Sequence, residues 1–315
     1  MRLSAILALL LVAAAAHLLL PLAPLELDPA LARLLLVELR LPRTLLVLGY
    51  GAALGISGAA LQAMFANPLA SPDISGASSG AALGAVLGGY WLGLSQPLAL
   101  AACGAAGALA TLALLVMLAG RKADTATLLL AGLAISLAAG AGTSLALALA
   151  PSPFAFYDAF DWLMGSFVDR SVGQAAAALV PAAVACIYLL RRAHALDLVA
   201  LGEDVAASLG VRPRRLSLEV IGLSAIAVGA CVSVAGAIGF VGLVAPVLAR
   251  QLSRGHPGRA MVPAAAIGAF LLAIADLVVR SIPLDRPIPV GVVTALFGTP
   301  LFLWLVLTMR RRVTA

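Results

Sequence analysis

The sequence predicts an all-α polytopic membrane protein with ten transmembrane helices in one domain. Three observations carry that prediction. Hydrophobic residues make up 63% of the 315 and charged residues 11%, where soluble domains average about 45–50% and about 25%. The apolar residues form runs near the roughly 20 residues that a spanning helix needs. The charges collect in short clusters between those runs. Little chain remains for loops, so a single transmembrane domain over 1–315 is expected, with no connection long enough for a soluble catalytic domain.

The first run, 3–23, follows Arg2 and contains Ala13-Ala14-Ala15-Ala16, which looks like a signal peptide. It continues to Leu22, longer than a cleavable core, and is read as a retained helix. The second, 45–64, carries Gly51 and Gly55. Before the third, 75–93, lies Asn67-Pro68-Leu69-Ala70-Ser71-Pro72-Asp73. Its prolines interrupt the helix and Asp73 is placed to cap the next one. Gly76, Gly80, Gly84 and Gly88 recur every fourth residue, setting a glycine stripe along one face. Lipid gives helices no hydrophobic reason to associate, so small residues that admit close backbone approach drive the packing.

The fourth and fifth runs are 97–119 and 127–150. The sizeable external loop 151–173 follows, with Phe154, Phe156, Tyr157, Phe160, Trp162 and Phe167. It reads either as an interfacial aromatic belt or as a short re-entrant helix lining the outer mouth of a pathway. The sixth and seventh runs, 174–190 and 216–235, are joined by the longest cytoplasmic connection, 191–215. Within it, 202–210 predicts a short helix. Glu203 and Asp204 occupy the first turn, where the macrodipole favours acids. Gly210 suits the left-handed C′ position, and Pro213 prevents continuation. Such a helix is too short to be stable alone, and it reads as a knob for a partner's groove. The last three runs are 237–252, 262–279 and 289–309.

With the N-terminus inside, the cytoplasmic side carries 14 of the 20 Lys and Arg and the outside 6: Arg33, Arg40, Arg43, Arg170, Arg280 and Arg286. Basic residues concentrate in cytoplasmic loops, so both termini are expected inside. The net charge of +6 is accounted for by this topology, and no nucleic-acid partner is expected.

Several functions are disfavoured. Glu219 lies four residues after Arg215 and Asp276 four before Arg280, spacings that pair on a helix. No midplane carboxylate is then left for proton or sodium coupling. This weakens an ion-coupled secondary transporter, the alternative reading, although backbone carbonyls also bind sodium. Cys103, Cys186 and Cys231, like His17, His194 and His256, are scattered without metal-ligand spacing, so no metal or cofactor bound by this chain is expected. An intramembrane metalloprotease is disfavoured for the same reason. Lys122, the sole lysine, is not in a G-x-x-x-x-G-K-[ST] context. The chain has no such route to ATP hydrolysis, and a pump built on it needs a separate ATPase subunit gripping the 191–215 connection.

A run of motifs then acquires meaning. Leu39-Arg40-Leu41-Pro42-Arg43, Ser57-Gly58-Ala59-Ala60-Leu61-Gln62, Asn67-Pro68-Leu69-Ala70, Gly76-Ala77-Ser78-Ser79-Gly80-Ala81 and Leu128-Leu129-Leu130-Ala131-Gly132 are followed by Leu201-Gly202-Glu203 with Leu209-Gly210-Val211. Gly236-Ala237-Ile238-Gly239-Phe240-Val241-Gly242-Leu243 and Pro289-Val290-Gly291-Val292-Val293-Thr294-Ala295-Leu296-Phe297-Gly298 complete the series. In this order the chain resembles the permease subunits of type II ABC importers for ferric siderophores, haem and cobalamin.

The resemblance implies a multi-pass protein of the bacterial inner membrane. It implies a homodimer with the pathway on its two-fold axis, two ATPase subunits carrying ATP-Mg inside, and a substrate-binding protein docking outside. In that family outward arginines pair with acidic residues of the binding protein, and the matching positions are Arg40, Arg43 and Arg280. The coupling helix matches Leu201–Gly210, with Leu201, Gly202, Glu203, Asp204, Ala206, Leu209 and Gly210 as the expected contacts. The cytoplasmic gate matches Thr125 and Ala126. The family often has two hydroxyl residues there, and Ala126 departs from that. Val247 likewise stands where many members carry His.

Overall fold

The computed structural model describes residues 3–20, 28–94, 96–119, 125–150, 160, 162–253, 255–282 and 288–313. Its elements are all helical. The α-helices in chain order are α1 (Leu3–Leu19), α2 (Pro29–Leu34), α3 (Leu41–Met64), α4 (Ala77–Tyr90), α5 (Pro97–Ala119), α6 (Thr125–Ala148) and α7 (Val172–Arg191). They continue with α8 (Ala193–Val199), α9 (Glu203–Ser208), α10 (Pro213–Ala235), α11 (Val241–Leu252), α12 (Met261–Ser281) and α13 (Val290–Val313). Each of the ten predicted runs falls on one of the longer helices. Among the described residues six helical stretches are long and apolar enough to cross a membrane: Ala30–Met64, Leu98–Leu118, Leu130–Ala148, Val172–Arg191, Pro213–Ala235 and Gly258–Ser281. Leu7–Leu19, Val241–Leu252 and Val290–Leu301 are shorter apolar helices.

Two helices differ most from their predicted extents. The second run is the inner part of a 35-residue rod, Ala30–Met64, about 52 Å long against a hydrocarbon core of about 30 Å. Pro42 sits inside that rod, where its ring would crowd the carbonyl one turn back. The residues just before it, Leu35–Arg40, form a π-helical turn, a widened geometry that relieves the crowding. The eighth run does not start at 237. Gly236 (φ 77°) and Phe240 (φ 66°) are both left-handed, and the helix resumes only at Val241. Glycine adopts this conformation freely, which is how α10 ends at Gly236.

α3 is the centre of the bundle, packed against α12, α7, α11 and α10. Glycines set the separations. A Cβ on Gly51 would lie 2.5 Å from the Gly268 carbonyl oxygen of α12, and one on Gly58 would strike the Gly242 carbonyl of α11. The stripe on α4 works the same way against α5: Gly80, Gly84 and Gly88 face Gly107 and Cys103. Gly76 leaves the stripe, since its φ of 77° makes it the left-handed residue that opens α4. On the other flank α7 is started by a capping box. The Gln174 N–H donates to Ser171 Oγ (3.2 Å) and the Ser171 N–H to Gln174 Oε1 (2.9 Å), satisfying two of the orphan donors of a helix start.

Candidate functional site

At one end of the bundle three helices meet around a single buried carboxylate. Asp276, on α12, is 1% exposed. Arg43, on α3, grips it with two parallel bonds, Nε to Oδ2 and Nη2 to Oδ1, both 2.8 Å. His17, on α1, adds Nε2 to Oδ2 at 2.8 Å, and its Nδ1 shares a hydrogen bond with Thr44 Oγ1, also 2.8 Å. Arg and carboxylate planes match in this bidentate geometry, which fixes orientation as well as charge.

The expected pair of Asp276 with Arg280 is not formed. Arg280 instead donates through Nη1 to His17 O (2.8 Å) and through Nη2 to Leu20 O (2.6 Å). Arg40 joins it from α3, donating through Nη1 to Leu19 O (2.9 Å) and Leu18 O (3.3 Å). The last carbonyls of a helix have no intrahelical partners and carry the negative end of its dipole. Two guanidinium groups therefore close the C-terminus of α1. The three arginines singled out by the sequence are brought together here, around the end of α1 and Asp276.

Beside this cluster the described part of the aromatic loop turns into the bundle. Ser166 N–H donates to Ala235 O (2.8 Å), the open end of α10, and Val290 N–H donates to Gly165 O (3.0 Å) at the start of α13. The Trp162 carbonyl lies where any side chain on Gly236 would collide with it. Phe167 is buried edge-on against Tyr50, with ring centroids 6.4 Å apart. Tyr50 sits about 13 Å down α3 from Leu41, and its hydroxyl donates to Gly236 O (3.2 Å). The irregular backbone between α10 and α11 is thus tied to α3 through the Gly236 carbonyl. Of the loop's aromatics Phe167 is buried, Trp162 half-buried and Phe160 exposed, while Phe154, Phe156 and Tyr157 lie outside the described residues.

At the opposite end of the bundle, α9 forms where the sequence placed the knob. Gly202 (φ 114°) and Gly210 (φ 86°) bound it. The Val211 N–H reaches Ala206 O and the Gly210 N–H reaches Ala207 O, each at 3.0 Å, the paired bonds of a Schellman stop. Ala206 is buried and anchors the helix, whereas Leu201 (65% exposed), Val205 and Leu209 (58%) face outward. Glu203 and Asp204 are exposed in the first turn. α9 is braced through α8: the Gly258 N–H donates to Asp197 Oδ1 (2.8 Å), and Gly258 approaches Ala193 so closely that no side chain fits between them. The Arg215–Glu219 pair forms at 3.0 Å, and Arg192 joins Glu219 at 2.8 Å. Thr125 and Ala126 open α6, and their side chains are outside the described set. Val247 is half-buried on α11. Between α11, α12 and α13 lies an open cavity of about 310 Å³ walled by Phe240, Phe270 and Phe297, with Thr294 as a polar contributor.

Sequence reasoning missed His17 and Thr44. A His six residues from the predicted end of a span carries no pairing signal, and only the fold sets it against Asp276 across 259 positions.

Residues 3–308 match the model of the FecCD transport family. The chain is 37% identical over 288 residues to the vitamin B12 import system permease protein BtuC of Citrobacter koseri, covering 87% of this chain and 83% of that protein. It is 37% identical over 295 residues to the protein of the same name from Vibrio cholerae, covering 90% and 86%. Among solved structures, an inward-facing conformation assigned to a metal-chelate type ABC transporter superposes with a TM-score of 0.87 at 32% identity, covering 97% of this chain and 98% of that one. A chain of PsaBC from Streptococcus pneumoniae, in complex with Fab, shares the fold at a TM-score of 0.52 and 16% identity.

Proposed function

Because the chain belongs to the FecCD transport family, and is thereby the multi-pass inner-membrane permease of an ABC importer, we propose that it carries a metal chelate inward: cobalamin, haem or a ferric siderophore. The whole chain acts as one transmembrane domain with ten spans and both termini in the cytoplasm. Two copies enclose the pathway. Two separate ATPase subunits hold ATP-Mg and perform the hydrolysis, and this chain binds no cofactor of its own.

The observation that carries the ATP-driven reading is α9. A six-residue helix with glycines at both ends and outward leucines at Leu201 and Leu209 is a rigid apolar projection suited to a partner's groove. Leu201, Gly202, Glu203, Asp204, Ala206, Leu209 and Gly210 form the grip. When the ATPases close on ATP, their motion is delivered through this grip and tilts the bundle between outward- and inward-facing states. Thr125 and Ala126 close the cytoplasmic side, with Ala126 contributing no hydroxyl.

Arg40, Arg43 and Arg280 receive acidic side chains of the external binding protein. Their intramolecular bonds support this role: each guanidinium is held in a fixed orientation, and the bonds described above use two of the five N–H donors of Arg43 and two of those of Arg280. The expected affinity of the binding protein falls as ionic strength rises through the range where the Debye length shrinks below about 10 Å.

The test is uptake into proteoliposomes holding this chain, its ATPase and its binding protein, offered cobalamin, haem and ferric siderophores separately, with and without internal ATP. Accumulation of one ligand only with ATP supports the proposal and names the substrate. Accumulation without ATP overturns it.

A further inference from the structure

Arg170 differs from the other described external arginines. It lies in the turn that carries the chain from the Trp162–Phe167 segment into α7. Asp169 before it has a φ of 54°, a left-handed conformation uncommon outside glycine, and Ser171 after it is the N-cap of α7. The backbone is therefore fixed on both sides. Its Nε is buried and has no hydrogen-bond partner. Burial lowers the guanidinium from its usual range while the Asp169 charge opposes that shift, yet no ion pair joins Arg170 to any of the described residues. By contrast, Arg43 is held by Asp276, and Arg40 and Arg280 by the carbonyls of α1. The residue as a whole is half-buried, and a partly desolvated guanidinium with an unmade bond costs stability unless something supplies the missing anion.

Its height in the bundle is set by neighbouring helices. Gly49 of α3 faces Leu179 of α7. Arg170 precedes Leu179 by as many positions as Arg40 precedes Gly49, so with both helices running inward at about 1.5 Å per residue Arg170 comes level with the arginine cluster. It also belongs to the mouth of the bundle rather than to its lipid-facing rim. Ser166 and Phe167, just before it, are turned inward onto Ala235 and Tyr50, whereas the exposed apolar side of α7 is formed by Val180, Val184 and Ile187.

We propose that Arg170 is a fourth docking cation, whose counter-ion is a carboxylate presented by the external binding protein. The inference rests on the docking reading given above. A planar guanidinium with free donors accepts a carboxylate bidentately, which a lysine cannot reproduce.

The experiment uses the full permease with its ATPase subunits in nanodiscs, and measures the affinity of the binding protein at low and physiological salt for the wild type, Arg170→Gln and Arg170→Lys. Thermal stability without the binding protein is read in parallel. Arg170→Gln is expected to weaken binding about tenfold and flatten its salt dependence. Arg170→Lys should recover part of the loss. The melting temperature of Arg170→Gln should hold or rise, because an unpaired buried charge is removed. Unchanged affinity in Arg170→Gln, alongside salt-sensitive binding by the wild type, overturns this inference alone. A fall in melting temperature also overturns it, because Arg170 would then be paired within the chain. An affinity loss seen only with anionic lipid assigns the site to a headgroup and rejects the proposal. Absence of salt-sensitive binding by the wild type defeats the docking reading and this inference together.

Discussion

Asp276 shows how much a single residue organises. One carboxylate holds α12, α3 and, through His17, α1. Removing one partner of such a buried pair costs about 3–5 kcal/mol, because the other charge is left without compensation. Asp276→Asn keeps the shape and removes the charge, so the purified permease is expected to melt markedly lower. Combining Asp276→Asn with Arg43→Gln should recover part of the loss, since both charges then disappear together. Additive losses in that thermal-melt cycle would show that the two residues do not interact. The geometry also bears on mutagenesis of the proposed docking arginines. Arg43→Glu would set two carboxylates face to face, so a loss of uptake in that variant reports on folding as much as on docking. The sequence placed Asp276 in a helical pair with Arg280, and that spacing was available. The longer-range partner won because Arg43 offers a bidentate fork to the carboxylate, while Arg280 is drawn to the open carbonyls of α1. Periodicity along one helix carries no information about either competitor.

At the scale of elements, glycine marks where helices touch and where they stop. Gly58 faces the Gly242 carbonyl with no room for a Cβ, whereas Gly140 has nothing within 4 Å. Gly58→Ala is expected to force α3 and α11 apart, lowering both yield and melting temperature. Gly140→Ala should be neutral or stabilising by up to about 1 kcal/mol, from helix propensity alone. Equal behaviour of the two variants in a thermal melt would refute the close-packing account. The positions of the long helices were legible because an apolar run of spanning length leaves few alternatives. The knob was legible too, since Gly210 and Pro213 punctuate it in sequence and Gly210 is indeed left-handed. The break at Gly236–Phe240 was not. Its residues are apolar and continuous in hydropathy with α11, and what stabilises the irregular backbone, Ser166 N–H on Ala235 O and Tyr50 hydroxyl on Gly236 O, comes from segments far away in sequence. The same holds for the rod Ala30–Met64, whose π turn accommodates Pro42 where a proline would ordinarily end a helix.

For the whole molecule, the two proposed working ends are physically connected. α9 rests on α8, and α8 is fastened to the Gly258 turn by Asp197. Asp197→Ala is expected to leave the ATPase assembled and hydrolysing, while the amount of substrate imported per ATP falls. An unchanged ratio in proteoliposomes would show that this fastening plays no part in transmission. From the Gly258 turn the chain runs back through α11 to Phe240, and the far side of the break, at Ala235 and Gly236, meets Trp162–Phe167 through the Ser166 N–H bond to Ala235 O and the close approach of the Trp162 carbonyl to Gly236. A short rod pinned at both ends behaves as a crank. α11 has only the twelve residues Val241–Leu252, about 18 Å, so on the proposed coupling a push on the inner pin is carried along one short helix to the outer one. The turn Trp162–Phe167 is then expected to ride on the same shaft that the proposed cytoplasmic partner moves.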